Sequence, residues 1–466
     1  MYSYLDPDTS LVFVCNSAEA FFDYMNRGDT SNRLHLIREM QALSDRALLY
    51  PCSNKLVFTS LPVPHKDLLA PFGYAQTQHF CPRHPSPFLS LDLLRESELL
   101  NKIWHHATHR RVQLIAHATT PEFLKLVQTL EQDYGLEVLL PESPNRDCAW
   151  VRDYIDTKAG FRHLAATWLP DAASRLPEGY VCHTLEEAAQ VAFWFAQRGQ
   201  RCLVKSDRGN DALGHTIISP AQELSFSAVY CKLKQNSFLH ATANSSSHYQ
   251  PTDYLLRSRA VATSRLIVEE FIVSSDRLFP SAEYYVPPLG TGNPQLTYVC
   301  NQLFLDSGTF SGIVISAELE QCNWYSTLVS SGAQIAAELQ KMGYVGHFDL
   351  DAVVQDDGRV ALLEVNARRT GGTHVHELAC FLLGEDYGKE KTLLSNTAMS
   401  SGTIADLDEL VGAIAPLLYP MQSSEGIVIT HSSNLKEHKF GYVLVAGSIE
   451  AALALRDQLS RCLLAS

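Results

Sequence analysis

Gly346-His347-Phe348-Asp349-Leu350-Asp351-Ala352-Val353-Val354 leads into Asp356-Asp357-Gly358, and Ala361-Leu362-Leu363-Glu364-Val365-Asn366-Ala367-Arg368 follows. Two apolar runs that alternate with polar residues, joined by an Asp-Gly turn, predict a β-hairpin. Side chains alternate along a strand, so Glu364, Asn366 and Arg368 are expected on one face, and Leu363, Val365 and Ala367 in the core. By the same rule Asp349 and Asp351 share a face. Antiparallel pairing then brings Asp351, Glu364 and Asn366 together as hard oxygen donors. Few protein oxygens are what Mg²⁺ takes when phosphate oxygens complete its octahedron. E-x-N alone would read as a solvated hairpin face. The matched aspartate and the arginine two residues on favour the metal.

Upstream, Glu186 to Arg198 has a helical pattern closed by Gly199, with Phe193, Trp194 and Phe195 expected in the core. Arg201-Cys202-Leu203-Val204-Lys205 reads as a strand, Gly209 and Gly214 punctuate a polar turn, and His215 to Ile218 resumes as a strand. Such a turn can lay backbone N–H groups over phosphate, or it can leave a strand-end lysine in solvent. Further upstream, Leu11–Cys15, Lys55–Thr59, Val112–Ala116 and Leu136–Leu140 read as strands. Helices are expected from Ser17 to Met25 and before Gly135, and the Pro- and His-rich residues 61–88 read as an irregular connection. The alternation of strand and helix makes the chain α/β. It carries no G-x-G-x-x-G after the first strand, no G-x-x-x-x-G-K-[ST] and no G-x-S-x-G.

Composition narrows the classes. The 466 residues carry 37 Lys plus Arg against 51 Asp plus Glu, a net charge of −14. That balance, without a basic run, argues against a nucleic-acid or membrane-coating protein. No apolar stretch reaches the roughly 18 residues of a membrane-spanning helix. Met1 to Asp6 has no basic segment followed by an apolar one, so no signal peptide is read there. Eleven cysteines without a C-x-x-C pair suit reduced thiols and a cytoplasmic location.

The order of motifs over roughly residues 150–380 resembles the ATP-grasp ligase superfamily. Asp156-Thr157-Lys158-Ala159-Gly160-Phe161-Arg162 is similar to its D-x-K-x-x-F-R segment, which implies that Lys158 meets ATP phosphates. Lys205 resembles the second phosphate lysine. Ile267-Val268-Glu269-Glu270-Phe271-Ile272 is similar to the hinge on the adenine edge. The resemblance implies that Glu269 takes the amino group and Ile272 the ring nitrogen, with Glu270 between them. Asp276 stands where the family usually has a ribose-binding glutamate, and Asp351, Glu364 and Asn366 match its metal set. The 206–214 loop departs from the family in having fewer glycines and two acids. Glu364 to His374 (EVNARRTGGTH) also resembles the pheganomycin-type peptide ligases, with an atypical N-terminal domain before the grasp and a small domain after it. Mycosporine-glycine synthase, an ATP-grasp enzyme of similar length, is matched equally by these motifs.

The fold implied is ATP-grasp, with an open α/β domain over 1–145, the grasp over 146–385 (lid about 176–272) and a small α+β domain over 386–466. In the last, Ser424–Thr430 and Gly441–Gly447 read as strands, and Ser448 caps a helix through Leu459. The implied cofactors are ATP and Mg²⁺. The implied reaction phosphorylates a small acid and couples it to the amine of an amino acid. Condensation of an amino acid with a cyclic ketone through a phosphorylated enol is the alternative, and a kinase or nucleotide-binding protein without an amine step is the third reading. A homodimer is compatible with all three. Arg368, always cationic and on the metal face, is the expected clamp for the phosphorylated intermediate, with Lys205 steering the transferred phosphoryl group. Arg369 is read as serving either side. His374 and His376 are read as substrate contacts or local packing, Gly371-Gly372 as an anion cradle or a plain turn, and His105, His106 and His109 as a metal patch lacking an acidic partner.

Overall fold

Leu11-Val12-Phe13-Val14 is apolar at every position, so as a strand it must bury both faces, and it forms the centre of a parallel sheet. The computed structural model describes residues 5–464 other than 7, 26–29, 53, 210–213, 240–264 and 420–424. The parallel sheet comprises β1 (Ser10–Val14), β2 (Lys55–Phe58), β3 (Gln78–Phe80), β4 (Arg111–Ala116) and β5 (Glu137–Leu139), in the order β3-β2-β1-β4-β5. Val12, Val14, Leu56 and Leu114 pack on helices Leu89–Arg95, Ser97–His106 and Pro121–Gln132. Phe13, Val57 and Ile115 face the other way, into a core shared with the large sheet described below. The 61–88 segment is not wholly irregular: it holds a 3₁₀ helix, Pro64–Phe72, and edge strand β3. Three residues, two of them polar, are too few to show a period of two.

The lid is a four-stranded antiparallel sheet of β6 (Gly179–Cys182), β7 (Cys202–Ser206), β8 (Thr216–Ile218) and β9 (Leu266–Glu270), in the order β6-β9-β7-β8. Helices Leu185–Gln197 and Phe226–Gln235 cover one of its faces. Thr184 and Glu187 close a capping box at the start of the first. Successive residues of a helix point about 100° apart, so its three aromatics cannot all face the core. Phe195 is buried, but Trp194 is exposed, under the Arg198 guanidinium at 4.3 Å.

The third sheet joins β10 (Pro280–Val286), β11 (Gln295–Phe304), β12 (Phe310–Ile315), β13 (Gly346–Val354), β14 (Val360–Asn366), β15 (Thr392–Ser400), β16 (Gly426–His431) and β17 (Lys439–Ala446). Its order is β14-β13-β10-β11-β12-β15-β17-β16. It runs without a break across the division drawn at 385/386: β15 pairs with β12 on one side and β17 on the other. Val314, Leu394, Tyr442 and Leu444 share one core with helix Ile449–Leu464. Of the tail strands read from sequence, residue 424 lies outside the described residues.

The β13–β14 hairpin turns at Gly358, whose φ of +88° needs no Cβ. Its alternation breaks once. Asp351 faces Glu364 but Ala352 faces Leu362, so Leu363 is the extra residue of a β-bulge. Leu362 is therefore the buried one, and Leu363, expected in the core, lines the cavity.

Candidate functional site

A cavity of about 430 Å³ opens where the three sheets meet. On its floor the hairpin sets Asp349 opposite Asn366 and Asp351 opposite Glu364. Asp351 accepts from Gln302 Nε2 at 2.7 Å and from Asn366 Nδ2 at 2.9 Å. Asp349 is buried, and its Oδ1 has no partner among the described residues. Burial first, then the charge of Asp351, holds the Asp349 carboxyl well above the carboxylate range. Burial and Glu364 push Asp351 up to about 7. For Glu364 burial acts upward too, but Lys158 and Lys205 outweigh it and bring the carboxyl down to about 2.

Both lysines are buried and held by carboxylates. Lys158 is the first residue of helix Lys158–Trp168, capped by Thr157, and its Nζ lies 2.5 Å from Glu364 Oε2. Asp207, an acid of the loop expected to be glycine-rich, accepts from the Ala159 N–H at 2.8 Å and forms an ion pair with Arg265, whose Nε lies 3.2 Å from Oδ2. That acid thus ties the lid to the start of the Lys158 helix. Residues 210–213 of the same loop lie outside the described residues, so its expected phosphate cover is not assigned. Lys205, on β7, pairs with Glu269 Oε1, and Arg162 reaches Glu269 Oε2 at 3.3 Å.

The two hinge glutamates are engaged within the protein. Glu269 sits in β9 between β6 and β7, opposite Gly179 on one side and Leu203 on the other. Its backbone lies between the two ladders, and its carboxylate serves two cations. Glu270 Oε1 accepts from Arg359 Nη2 at 2.8 Å and from the Glu178 N–H at 3.0 Å, joining lid to hairpin. Ile272 is half-buried just past β9, and Asp276 is exposed in a turn.

Arg368 lies two residues beyond β14. Its Nη1 is 2.5 Å from Asp156 Oδ1, its Nη2 donates to Asn366 Oδ1 at 2.8 Å, and its guanidinium sits 4.6 Å over Phe21. Asp156 also accepts from the Ala367 N–H at 2.9 Å. Sequence reasoning missed this role of Asp156, though it stands two residues before Lys158 in the quoted motif. It also passed over His215, which lines the cavity and is pushed down to about 3 by burial, then by Lys205 and Lys158.

Arg369 serves neither side of a substrate. It is fully buried, bidentate to Glu142 at 2.6 and 2.7 Å, bonded to Glu377 at 2.7 Å, and stacked 4.2 Å over Tyr50. His376 bonds the Tyr387 hydroxyl at 2.9 Å and stacks on Tyr298, which is local packing. His374 is buried edge-on to His431. A Cβ on Gly371 would meet the Phe310 ring at 2.8 Å, and one on Gly372 would press on Tyr298 and Ile313. The glycine pair is a close-packing requirement of helix Thr373–Leu383. Among the described residues His105, His106 and His109 are not gathered with one another or with an acid into a metal patch.

At the hairpin, the unpartnered Asp349 Oδ1 and two carboxyls raised by burial and mutual repulsion are what a divalent cation would relieve. Asp351, Glu364 and Asn366 therefore fit Mg²⁺, with Asp349 beside them.

No protein-family model matches the chain, and no curated protein matches it in sequence. Solved structures do match in shape. Biotin carboxylase from Campylobacter jejuni, solved with βγ-ATP, superposes with a TM-score of 0.56 at 11% identity, over 96% of this chain and 89% of that one. N5-carboxyaminoimidazole synthetase from Staphylococcus aureus gives 0.52 at 8% identity, over 98% of each chain. The corresponding synthase of Aspergillus clavatus, solved with ADP and its aminoimidazole ribonucleotide, gives 0.51 at 11% identity, over 98% and 99%. Identities this low speak for architecture alone, and on that evidence the chain has the ATP-grasp fold.

Proposed function

We propose that the chain is an ATP- and Mg²⁺-dependent C–N ligase that phosphorylates a small carboxylic acid and couples it to the amine of an amino acid. One observation carries the reading: two buried lysines, Lys158 lining the cavity and Lys205 on the lid, are each held by a carboxylate, and the charge of both reaches Glu364. Phosphate oxygens can take the place of those acids without new charge being brought out of water. Lys158 and Lys205 would bind the β- and γ-phosphates and orient the terminal phosphoryl group toward the acid. Mg²⁺ held by Asp351, Glu364 and Asn366 would neutralise phosphate charge. Arg368, its fork fixed by Asp156 and Asn366, would clamp the acyl phosphate and the oxyanion formed when the amine attacks. Phosphate then leaves with the electron pair of the broken acyl–oxygen bond. Ile272 and Asp276 would sit along the adenosine.

Nucleotide products test the proposal. Amine-dependent release of ADP and phosphate is expected, and AMP with pyrophosphate would sink it. ADP release without any amine requirement would favour a kinase. Product mass separates an amide from condensation with a cyclic ketone.

A further inference from the structure

The parallel sheet runs β3-β2-β1-β4-β5, so the chain builds one edge outward from β1 and then returns to lay β4 on the other side. Strand order reverses between β1 and β4, and open α/β sheets bind ligands in the crevice past the carboxyl ends of the strands at such a reversal. A second cavity, of about 80 Å³, occupies that crevice. Glu19 and Ala20, in helix Ser17–Met25 after β1, line it, as do Thr120 and Glu122, at the start of helix Pro121–Gln132 after β4. It has six lining residues in common with the larger cavity: Phe21, Lys158, Gly209, Glu364, Asn366 and Arg368. Two cavities of different size therefore reach the same reactive residues.

The wall of the smaller one is tied together across the reversal. Asn16 Nδ2 donates to Glu19 Oε1 at 2.9 Å and to the Ala118 carbonyl at 3.0 Å. The Ser90 N–H donates to Glu19 Oε2 at 2.9 Å. The Thr120 hydroxyl bonds Glu19 too, and accepts from the Phe123 N–H at 3.1 Å as the cap of its own helix. Glu19 is thereby fixed between the segments that follow β1 and β4.

Charge decides what fits. A helix N-terminus attracts anions, and phosphate-binding sheets keep it open behind a glycine-rich turn. Here no G-x-G-x-x-G follows β1, and each helix carries a buried glutamate in its first turn, Glu19 in one and Glu122 in the other. The chain itself supplies the anions. Burial first, then Glu122, pushes the Glu19 carboxyl up to about 7, so a further anion would be opposed and a cation would relieve the pair. Of nucleotide, acid and amine, only the amine arrives as a cation.

We infer that the cavity at the β1/β4 reversal, lined by Glu19 and Glu122, is the site of the amine substrate, bound as its ammonium ion and brought from there to the activated acid at Arg368. The inference rests on the ligase reading, which makes Arg368 the reaction centre.

The test uses the full chain with ADP and Mg²⁺ present, and calorimetry with glycine and methylamine as ammonium probes. At least one should bind the wild type. Ala20→Leu fills the smaller cavity and should weaken that probe tenfold or more. Ala398→Leu, which of the two narrows only the larger cavity, should leave it within about twofold. Glu19→Gln keeps the side chain's shape without its charge, and should weaken the probe about tenfold, the scale of one hydrogen bond to a charged group. Glu122→Gln, on the other helix, should weaken it in the same direction and decides the matter if the Ala20 and Glu19 variants do not fold. A wild type that binds neither probe overturns the inference. So does an Ala20→Leu chain that binds no worse than Ala398→Leu, or glutamine variants that lose melting temperature while keeping probe affinity. ADP with Mg²⁺ is titrated first, without a probe. Failure of that titration in the wild type counts against the ligase reading, whereas intact ADP binding without probe binding counts against the amine site alone.

Discussion

Arg368 and Arg369 are neighbours in sequence but belong to different regions. Arg368 stands on the cavity wall, held at one side by Asp156 and Asn366 and stacked on Phe21. Arg369 turns into the seam between the parallel and antiparallel sheets, where Glu142 and Glu377 take all three of its nitrogens. The cavity wall offers positive charge at a surface that a substrate can reach. The seam consumes the same charge to join parts of the chain far apart in sequence. A guanidinium's role is therefore set by which acids surround it.

The largest expected effect lies in the seam. Arg369→Leu takes away the guanidinium that Glu142 and Glu377 share, and breaking a buried pair costs about 3–5 kcal/mol. Urea unfolding should show that loss or an unfolded chain. A midpoint near that of the wild type would erase the distinction between the regions.

On the wall, Arg368→Ala should fold and hold ADP with Mg²⁺ within a few-fold of the wild type. Its kcat should fall by on the order of 10²–10³. Equal loss of nucleotide affinity would move Arg368 to the nucleotide side, beside Lys205, whose alanine variant should weaken ATP binding itself.

A step smaller is Glu364→Gln. It removes an oxygen of the proposed metal set and the partner of Lys158, so turnover should fall most at limiting Mg²⁺ and recover in part as Mg²⁺ is raised. Insensitivity to Mg²⁺ would remove Glu364 from the metal set.

The pH dependence of the hairpin follows from Asp351. Its folded-state value of about 7 lies above the unfolded value of 3.8, so between them the folded chain keeps a proton that the unfolded chain releases. Without divalent metal its contribution to stability is full below about pH 4 and is lost as pH rises toward 7. Melting temperatures in chelator should fall across that window more steeply for the wild type than for Asp351→Asn, and Mg²⁺ near pH 8 should restore the wild type. Parallel slopes would mean that Asp351 is ionised throughout. The smallest effect is expected from Asp276→Ala, a few-fold rise in KM for ATP, since this residue is exposed and orders nothing around it.

Legibility followed the range of the interactions. The β13–β14 hairpin, the helix Ser17–Met25 and the strands around Phe13 and Lys205 were readable because apolar periodicity and turn residues act over a few positions. The oxygen donors of the hairpin were readable for the same reason, as cross-strand neighbours on a short turn. Leu363 was misplaced because a bulge is one residue of register that alternation cannot show.

What the sequence determined by itself was the α/β class, the hairpin with its acids, and the two lysines at the starts and ends of elements. What only the tertiary structure decided is who pairs with whom across hundreds of residues. Asp156 holds Arg368, Glu269 holds Lys205, Glu142 claims Arg369, and β15 carries the chain's last strands into the same sheet. The reason is physical. A backbone conformation is chosen by nearby residues, whereas a buried charge is matched by whichever opposite charge the packing of distant elements brings within about 3 Å.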